Sequence, residues 1–290
     1  MKTFNKMLIL LVLILLTKGE GISETEWDNA GLLNNTPKGA QHLLNVDNYS
    51  GTDDERARAA LSDARNHSQA GNTSIIYFPA RTFYLQRSIR LQFPDSNIVF
   101  QGDGSNVTTL KFTFNHPDSN CFFIVGAESN PHITTLTGTV PYFTKNMQAY
   151  NLSGLNVGDW FRLSEYNHDV WWEDVDWATG CVGQISRLAS KTGNNGVMED
   201  YAGRTYTYVD PNNLRIYRIS PVKNIGIENL KIWRNDSGHG GEDIKGISVN
   251  LEYAINCWIK GVHFYQTCKH HLQADYCAHI HVSGCYFRFL

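Results

Sequence analysis

The chain has 290 residues, 42% hydrophobic and 18% charged, with a formal net charge of -3, the makeup of one large globular domain or two small ones. That balance gives no reason to expect a nucleic-acid partner. With 7 Trp, 14 Tyr and 14 Phe, the chain is rich in flat apolar faces on which sugar rings can pack.

Met1–Leu16 reads as an export signal, and residues 1–21 are expected to be removed. Lys2 and Lys6 precede an unbroken apolar run, Met7–Leu16, and Thr17–Gly21 supplies a small, polar exit. The run, about ten residues, is too short to span a membrane, which takes roughly 20. The mature protein is therefore expected outside the cytoplasm, secreted or periplasmic. The 6 Cys are compatible with disulfides there. Cys257, Cys277 and Cys285 fall where small apolar side chains would serve, so buried thiols explain them at least as well.

Residues 24–48 are polar and read as a lead-in. Thr52 or Asp53 can cap a helix with Asp54 and Glu55 in its first turn. Arg56–Asn66 then places Ala57, Ala60, Leu61 and Ala64 on one side. Short strands are expected at Ser74–Phe78, halted by Pro79, and at Phe83–Leu85, Ile89–Leu91, Asn97–Phe100 and Thr109–Phe112. Residues 146–220 change character. Val157–Leu163, Val182–Leu188, Tyr206–Tyr208 and Leu214–Ile219 read as strands of an inserted β elaboration. Within it, Asn167–Trp177 gathers aromatic and acidic side chains. Trp171 and Trp172 there are candidate sugar contacts, although an aromatic mini-core with an acidic edge explains them slightly better. Arg234–Lys245 is a Gly-rich loop carrying His239, Glu242 and Asp243, the kind of segment in which a rigid scaffold places binding groups.

From residue 247 the chain repeats itself. Ile247–Phe264 aligns on His270–Phe287 at an offset of 23 positions, so that Val249 meets Leu272, Glu252 meets Asp275 and Tyr253 meets Tyr276. Ile225–Ile232 is an earlier copy of the second half. Each copy alternates apolar and polar residues with the strand period, and the breaks carry Gly or Asn. Short strands repeating without a helix between them predict a parallel β-helix with one coil per copy. Equivalent residues then stack roughly 4.8 Å apart. Val249 and Leu251 point inward with Leu272 and Ala274, while Ser248, Asn250 and Glu252 point outward over His271, Gln273 and Asp275. In the next strand Gly226, Trp258 and His281 face out, as do Glu228, Lys260 and Ser283. Residues 22–145 would form the cap and first coils, and 221–290 the later ones. The chain stops directly after a strand, which would leave an open core and a bare edge, so the sequence reads as a piece of a longer protein.

Several stretches carry a resemblance. Gly51-Thr-Asp-Asp54, the Ala-rich helix, Ile76-Tyr-Phe-Pro79, Thr82-Phe-Tyr84 and Val99-Phe-Gln-Gly-Asp-Gly104 are similar to the entry segment of the pectate-lyase superfamily. The coil wording over Val222–Phe287 resembles it too. The resemblance implies an all-β, right-handed parallel β-helix whose first end is capped by that helix. It leaves the activity open, because this superfamily holds lyases, hydrolases, epimerases and phage tail spikes. The function it implies is binding and cleavage of an acidic or complex polysaccharide by β-elimination or hydrolysis. The other reading is a non-catalytic carbohydrate-binding or adhesion β-helix.

Carboxylate pairs carry most chemistry on polysaccharides. A hydrolase needs two, about 5–5.5 Å apart for retention or about 6.5–9.5 Å for inversion. A lyase needs a base and a cation to neutralise the uronate. The pair Glu252 and Asp275 can serve as acid and base, or as ligands of calcium, the one cofactor the sequence suggests. Stacking two carboxylates raises one pKa, as an acid catalyst requires. His271 is a candidate proton shuttle, Lys260 a candidate base or clamp, and Trp258 and His281 candidate substrate contacts. The plain alternative is a solvated polar ladder. Gly238-His-Gly240 resembles a polygalacturonase motif, but the acids Glu242 and Asp243 follow it where that family has them first. His270, His271, His279 and His281 do not converge by spacing on a metal. Oligomeric state is left open.

Overall fold

The structure, a computed structural model, describes residues 41–68, 72–114, 119–166, 181–235, 246–267 and 269–288. The expected leader lies outside them. Among the described residues the protein is all-β apart from one α-helix and a single 3-10 turn, and no helix is long and apolar enough to cross a membrane.

The helix, Asp53–Ser68, begins on a reciprocal cap. Thr52 Oγ1 accepts the Glu55 N–H at 3.3 Å, and Glu55 Oε2 accepts the Thr52 N–H at 2.8 Å. The two acids that follow Thr52 fasten the helix to the strand Thr82–Leu85 and the residues flanking it. Asp53 takes the Tyr84 N–H at 2.9 Å and Arg81 at 2.8 Å, and Asp54 takes Arg87 Nε at 2.6 Å. The Thr-Asp-Asp wording is thus structural in this chain. Ala57, Ala60, Leu61 and Ala64 go into the core, as their spacing predicts.

Three parallel sheets form as the chain passes repeatedly through the same three directions. The first runs through Gln41–Asn45, Thr73–Phe78, Ser96–Gly102, Val222–Glu228, Trp258–Lys260 and His281–Ser283. The second holds Thr82–Leu85, Thr109–Phe112, Lys231–Arg234, His263–Tyr265 and Tyr286–Arg288. The third holds Ile89–Gln92, Phe122–Val125, Ile247–Glu252 and His270–Asp275. The 23-residue register holds, with Val249 opposite Leu272, Glu252 opposite Asp275, and Trp258 opposite His281. Between the sheets Phe83, Phe100, Phe112, Phe122, Ile232 and Phe264 fill one continuous core. Cys257 belongs to it and Cys277 and Cys285 pack against it. All three are free thiols, and burial pushes the Cys257 and Cys277 thiols up to about 12.

The inserted sheet is antiparallel and encloses its own core of Leu136, Phe161, Leu163, Leu188, Met198 and Ile216. Trp160–Glu165 is its central strand, between Val182–Thr192 and Leu214–Ser220. Ala127–Glu128 and Thr134–Thr135 pair with Leu214–Ser220, so this sheet starts ahead of residue 146, where composition alone changes. The chain leaves the third sheet at Val125 and re-enters the first at Val222. The insertion therefore stands at the corner between those two sheets. Gly126 marks the exit: a Cβ there would lie 2.7 Å from both the Ser220 and Tyr253 carbonyl oxygens.

Candidate functional site

Where the inserted sheet meets that corner, a cleft of about 460 Å³ opens, lined by Arg162, Gln184 and Ile185 on one side and by Asp275, Tyr276 and Cys277 on the other. Its floor follows from the repeat. Tyr253 and Tyr276 occupy the same corner on successive coils with φ of 48° and 51°. Their rings stack at 5.2 Å and 12°. Arg162 reaches across with its guanidinium 4.7 Å above the Tyr276 ring and 4.5 Å from Tyr217. Glu128 grips it at both ends, Nε to Oε2 at 2.9 Å and Nη2 to Oε1 at 3.0 Å, a two-point pairing. The Tyr253 hydroxyl also bonds to Glu128; burial and that carboxylate hold its pKa above the usual tyrosine range.

Glu252 and Asp275 lie beside this cluster in adjacent strands. Burial first, then the charges of Asp275 and Glu128, pushes the Glu252 carboxyl above its ordinary 4.5. Asp275 accepts a short hydrogen bond from Gln273 Nε2. The rest of this outer face is polar yet shielded. Ser248 and Asn250 are buried, and Ser248 Oγ, Asn250 Oδ1 and Gln273 Oε1 have no hydrogen-bond partner among the described residues. Buried polar atoms of this kind call for a water or a ligand. The solvated ladder is thus replaced by an occluded, under-satisfied lane ending in two carboxylates.

The other sequence candidates are distributed differently. His271, expected outward by strand alternation, is instead 4% exposed, its ring turned to 5.8 Å from both the core residue Phe264 and Phe287. Burial lowers its pKa, against a hydrogen bond to the Arg288 backbone. Trp258 faces outward but is 7% exposed. Its indole covers Gly226, where a Cβ would come within 2.4 Å, and Nε1 donates to Glu228 Oε1 at 2.6 Å. A ring laid flat in this way offers no open face to a sugar. Lys260 is exposed and His281 half-buried; both sit on the first sheet, round the corner from the Glu252–Asp275 pair. Trp171, Trp172 and His239 lie outside the described residues. Calcium takes about six to eight oxygen ligands, and among the described residues no three or more His, Cys, Asp or Glu converge, so the pair does not by itself form its site.

Sequence reasoning missed Glu128, Arg162, Asp200 and the role of His279. His279 Nε2 meets Asp200 Oδ1 at 3.2 Å, and its Nδ1 meets Asn256 Oδ1 at 2.9 Å. Its ring lies 5.7 Å from Trp160. Ser186 Oγ donates to Asp200 Oδ2 at 2.9 Å. Burial pushes the Asp200 carboxyl up, but the His279 hydrogen bond and charge outweigh it and hold the pKa below 3.8. This cluster clamps the inserted sheet to the last coil. The available signal was the doublet Tyr253/Tyr276, which the 23-residue repeat already aligned.

Residues 43–214 match the family described as rhamnogalacturonase A/epimerase, pectate lyase-like. No curated protein sequence matches the chain. Among solved structures, the tailspike gp61 of Pseudomonas phage phi297 is 13% identical with a TM-score of 0.51, covering 77% of this chain and 38% of that one. The Gp54 tailspike of Acinetobacter baumannii bacteriophage AP22, solved with an A. baumannii capsular saccharide, is 16% identical with a TM-score of 0.47, covering 77% and 35%. The chain thus spans well under half the length of these structures. At such identity the phi297 likeness bears on fold alone, a pectin-lyase-like parallel β-helix. With the family match covering more than half its length, the chain belongs to the rhamnogalacturonase A/epimerase, pectate lyase-like family.

Proposed function

We propose that the protein is an exported right-handed β-helix that binds a polysaccharide along the outer face of its third sheet and hydrolyses it at Glu252 and Asp275. The observation that carries this reading is the placement of Glu252 opposite Asp275 in adjacent strands, with Asp275 in the wall of the cleft and the Glu252 pKa raised by burial and the neighbouring carboxylates. A carboxyl whose pKa is raised holds its proton more tightly, and in that form it can donate to a glycosidic oxygen. Asp275 is the partner that acts as nucleophile or base. Their strand spacing, roughly 4.8 Å, lies near the separation of about 5–5.5 Å found in retaining enzymes. Hydrolysis is preferred to β-elimination because Arg162, the guanidinium lining the cleft, is engaged at both ends by Glu128 and is not available to neutralise a uronate.

The test is a panel of uronate and neutral glycans followed by two product assays. Hydrolysis yields new reducing ends without ultraviolet enone absorbance, and elimination yields both. Glu252→Gln and Asp275→Asn should each lower turnover by about 10²- to 10⁴-fold with substrate binding retained. Binding by the wild type without either product would favour the non-catalytic carbohydrate-binding reading, and full activity in both variants would dismiss the pair.

A further inference from the structure

The second sheet presents an outer face that none of the chemistry above uses. One row of facing residues runs Tyr84, Lys111, Trp233, Tyr265 and Arg288, one from each strand in register. The neighbouring row runs Thr82, Thr109, Lys231, His263 and Tyr286. Among these described positions there is no acid, although the chain as a whole carries a net charge of -3. At the edge Tyr84 shares a hollow with Asp53, Asp54 and Glu55; Asp53 is held by Arg81 at 2.8 Å and the Tyr84 N–H at 2.9 Å, Asp54 by Arg87 Nε at 2.6 Å, and Glu55 by the Thr52 N–H at 2.8 Å.

The cations are held in place by the rings. Lys111 Nζ lies 3.9 Å over Trp233, and Arg288 and Lys231 each lie 5.5 Å from Tyr265. Trp233 is fixed in turn by its Nε1–H bond to Gln266 at 2.6 Å. The open rings stand at the two ends: Tyr84 on the first strand is 58% exposed and Tyr286 on the last is 60% exposed. The field is positive enough to act on a neighbour. The His263 imidazole is pushed below its ordinary 6.5 by burial first, then by Lys231 and Arg288. Five strands at about 4.8 Å give a stripe roughly 19 Å long, enough for several sugar rings laid across the strands.

We propose that this stripe is a second glycan-binding site, separate from the cleft, that takes an anionic polysaccharide strand running along the stack of coils. Fixed cations meet the carboxylates or other anionic groups of the chain, and the terminal tyrosines offer apolar faces to its pyranose rings. The choice of an anionic occupant rests on charge complementarity: three cations and no acid among the ten facing positions described, on a protein of net negative charge. The site does not depend on the activity assigned to Glu252 and Asp275.

Affinity electrophoresis in gels containing polygalacturonate, or its fully methyl-esterified neutral form, tests the site. Wild type is expected to be retarded by the acid form alone, and less so as salt rises. Lys111→Glu/Arg288→Glu should lose at least tenfold in affinity with unchanged melting temperature and sedimentation. Tyr84→Ala, at an exposed ring, should lose severalfold and serves if the charge-reversed variant fails to fold. Lys111→Glu/Arg288→Glu should keep the wild-type rate of reducing-end release from short oligosaccharides, which separates this site from the cleft. Full retention in Lys111→Glu/Arg288→Glu or in Tyr84→Ala overturns the proposal. So does equal retardation by duplex DNA at matched charge, which would make the occupant a nucleic acid, or a change in sedimentation on charge reversal, which would make the face a contact between copies of this chain.

Discussion

Glu252 couples the chemistry of the site to the stability of the protein. Its folded pKa lies above 4.5, for reasons led by burial. Such a group binds its proton more tightly folded than unfolded, so its contribution is fully present below the unfolded value and is lost as pH rises through the folded one. Glu252→Gln removes the cost of ionising a half-buried carboxyl beside Asp275 and Glu128. The variant should melt higher than wild type at pH 7, with the advantage vanishing near pH 4; scanning calorimetry at the two pH values checks the sign. An advantage at acid pH instead would mean that Glu252 is stabilised as a carboxylate. The outward direction of this side chain was legible from alternation and the repeat. Its raised pKa was legible only in part: the repeat supplied Asp275, whereas Glu128 arrives from the insertion. His271 and Trp258 were misplaced because alternation gives a direction and not what then covers the side chain.

At the scale of the elements, the corners hold the coils in register. Asn97, Asn224, Asn256 and His279 all have φ between 54° and 57°, the left-handed region that asparagine tolerates better than most residues. Asn224 Nδ2 donates to Asn97 Oδ1 at 2.8 Å, and His279 stands 2.9 Å from Asn256 Oδ1, so the corner is a ladder of side-chain bonds between coils. Asn256→Ala loses both the tolerated conformation and the bond, and should cost about 1–3 kcal/mol. Asn256→Gly keeps the conformation and should cost less. Chemical denaturation of the two variants separates the contributions, and equal losses would show that backbone strain plays no part. The ladder was half visible in sequence. Gly and Asn at the breaks were plain, and the 23-residue offset sets His279 under Asn256, but the change of residue type hid its part in the asparagine row.

For the whole molecule, the cleft exists because an antiparallel sheet is inserted at one corner of the coils and clamped there. Arg162 over the Tyr276 ring holds one end, and Asp200–His279 the other. Asp200, held below 3.8 by His279 against the effect of burial, contributes stability that is present above 3.8 and lost as pH falls through the folded value. Asp200→Asn should therefore destabilise by about 1–3 kcal/mol at pH 7, with the difference closing below about pH 3.8; thermal melts across that range measure it. A constant deficit would assign the loss to the Ser186 bond instead. The sequence by itself determined the stacked strands, the helix that caps them and the pairing of Glu252 with Asp275, because a 23-residue period and a two-residue alternation are local patterns. The tertiary structure decided what those residues face. Glu128, Arg162 and Asp200 are brought to the last coils by an insertion with no repeat of its own, and contacts between segments some 80 to 120 positions apart leave no periodic mark on the chain.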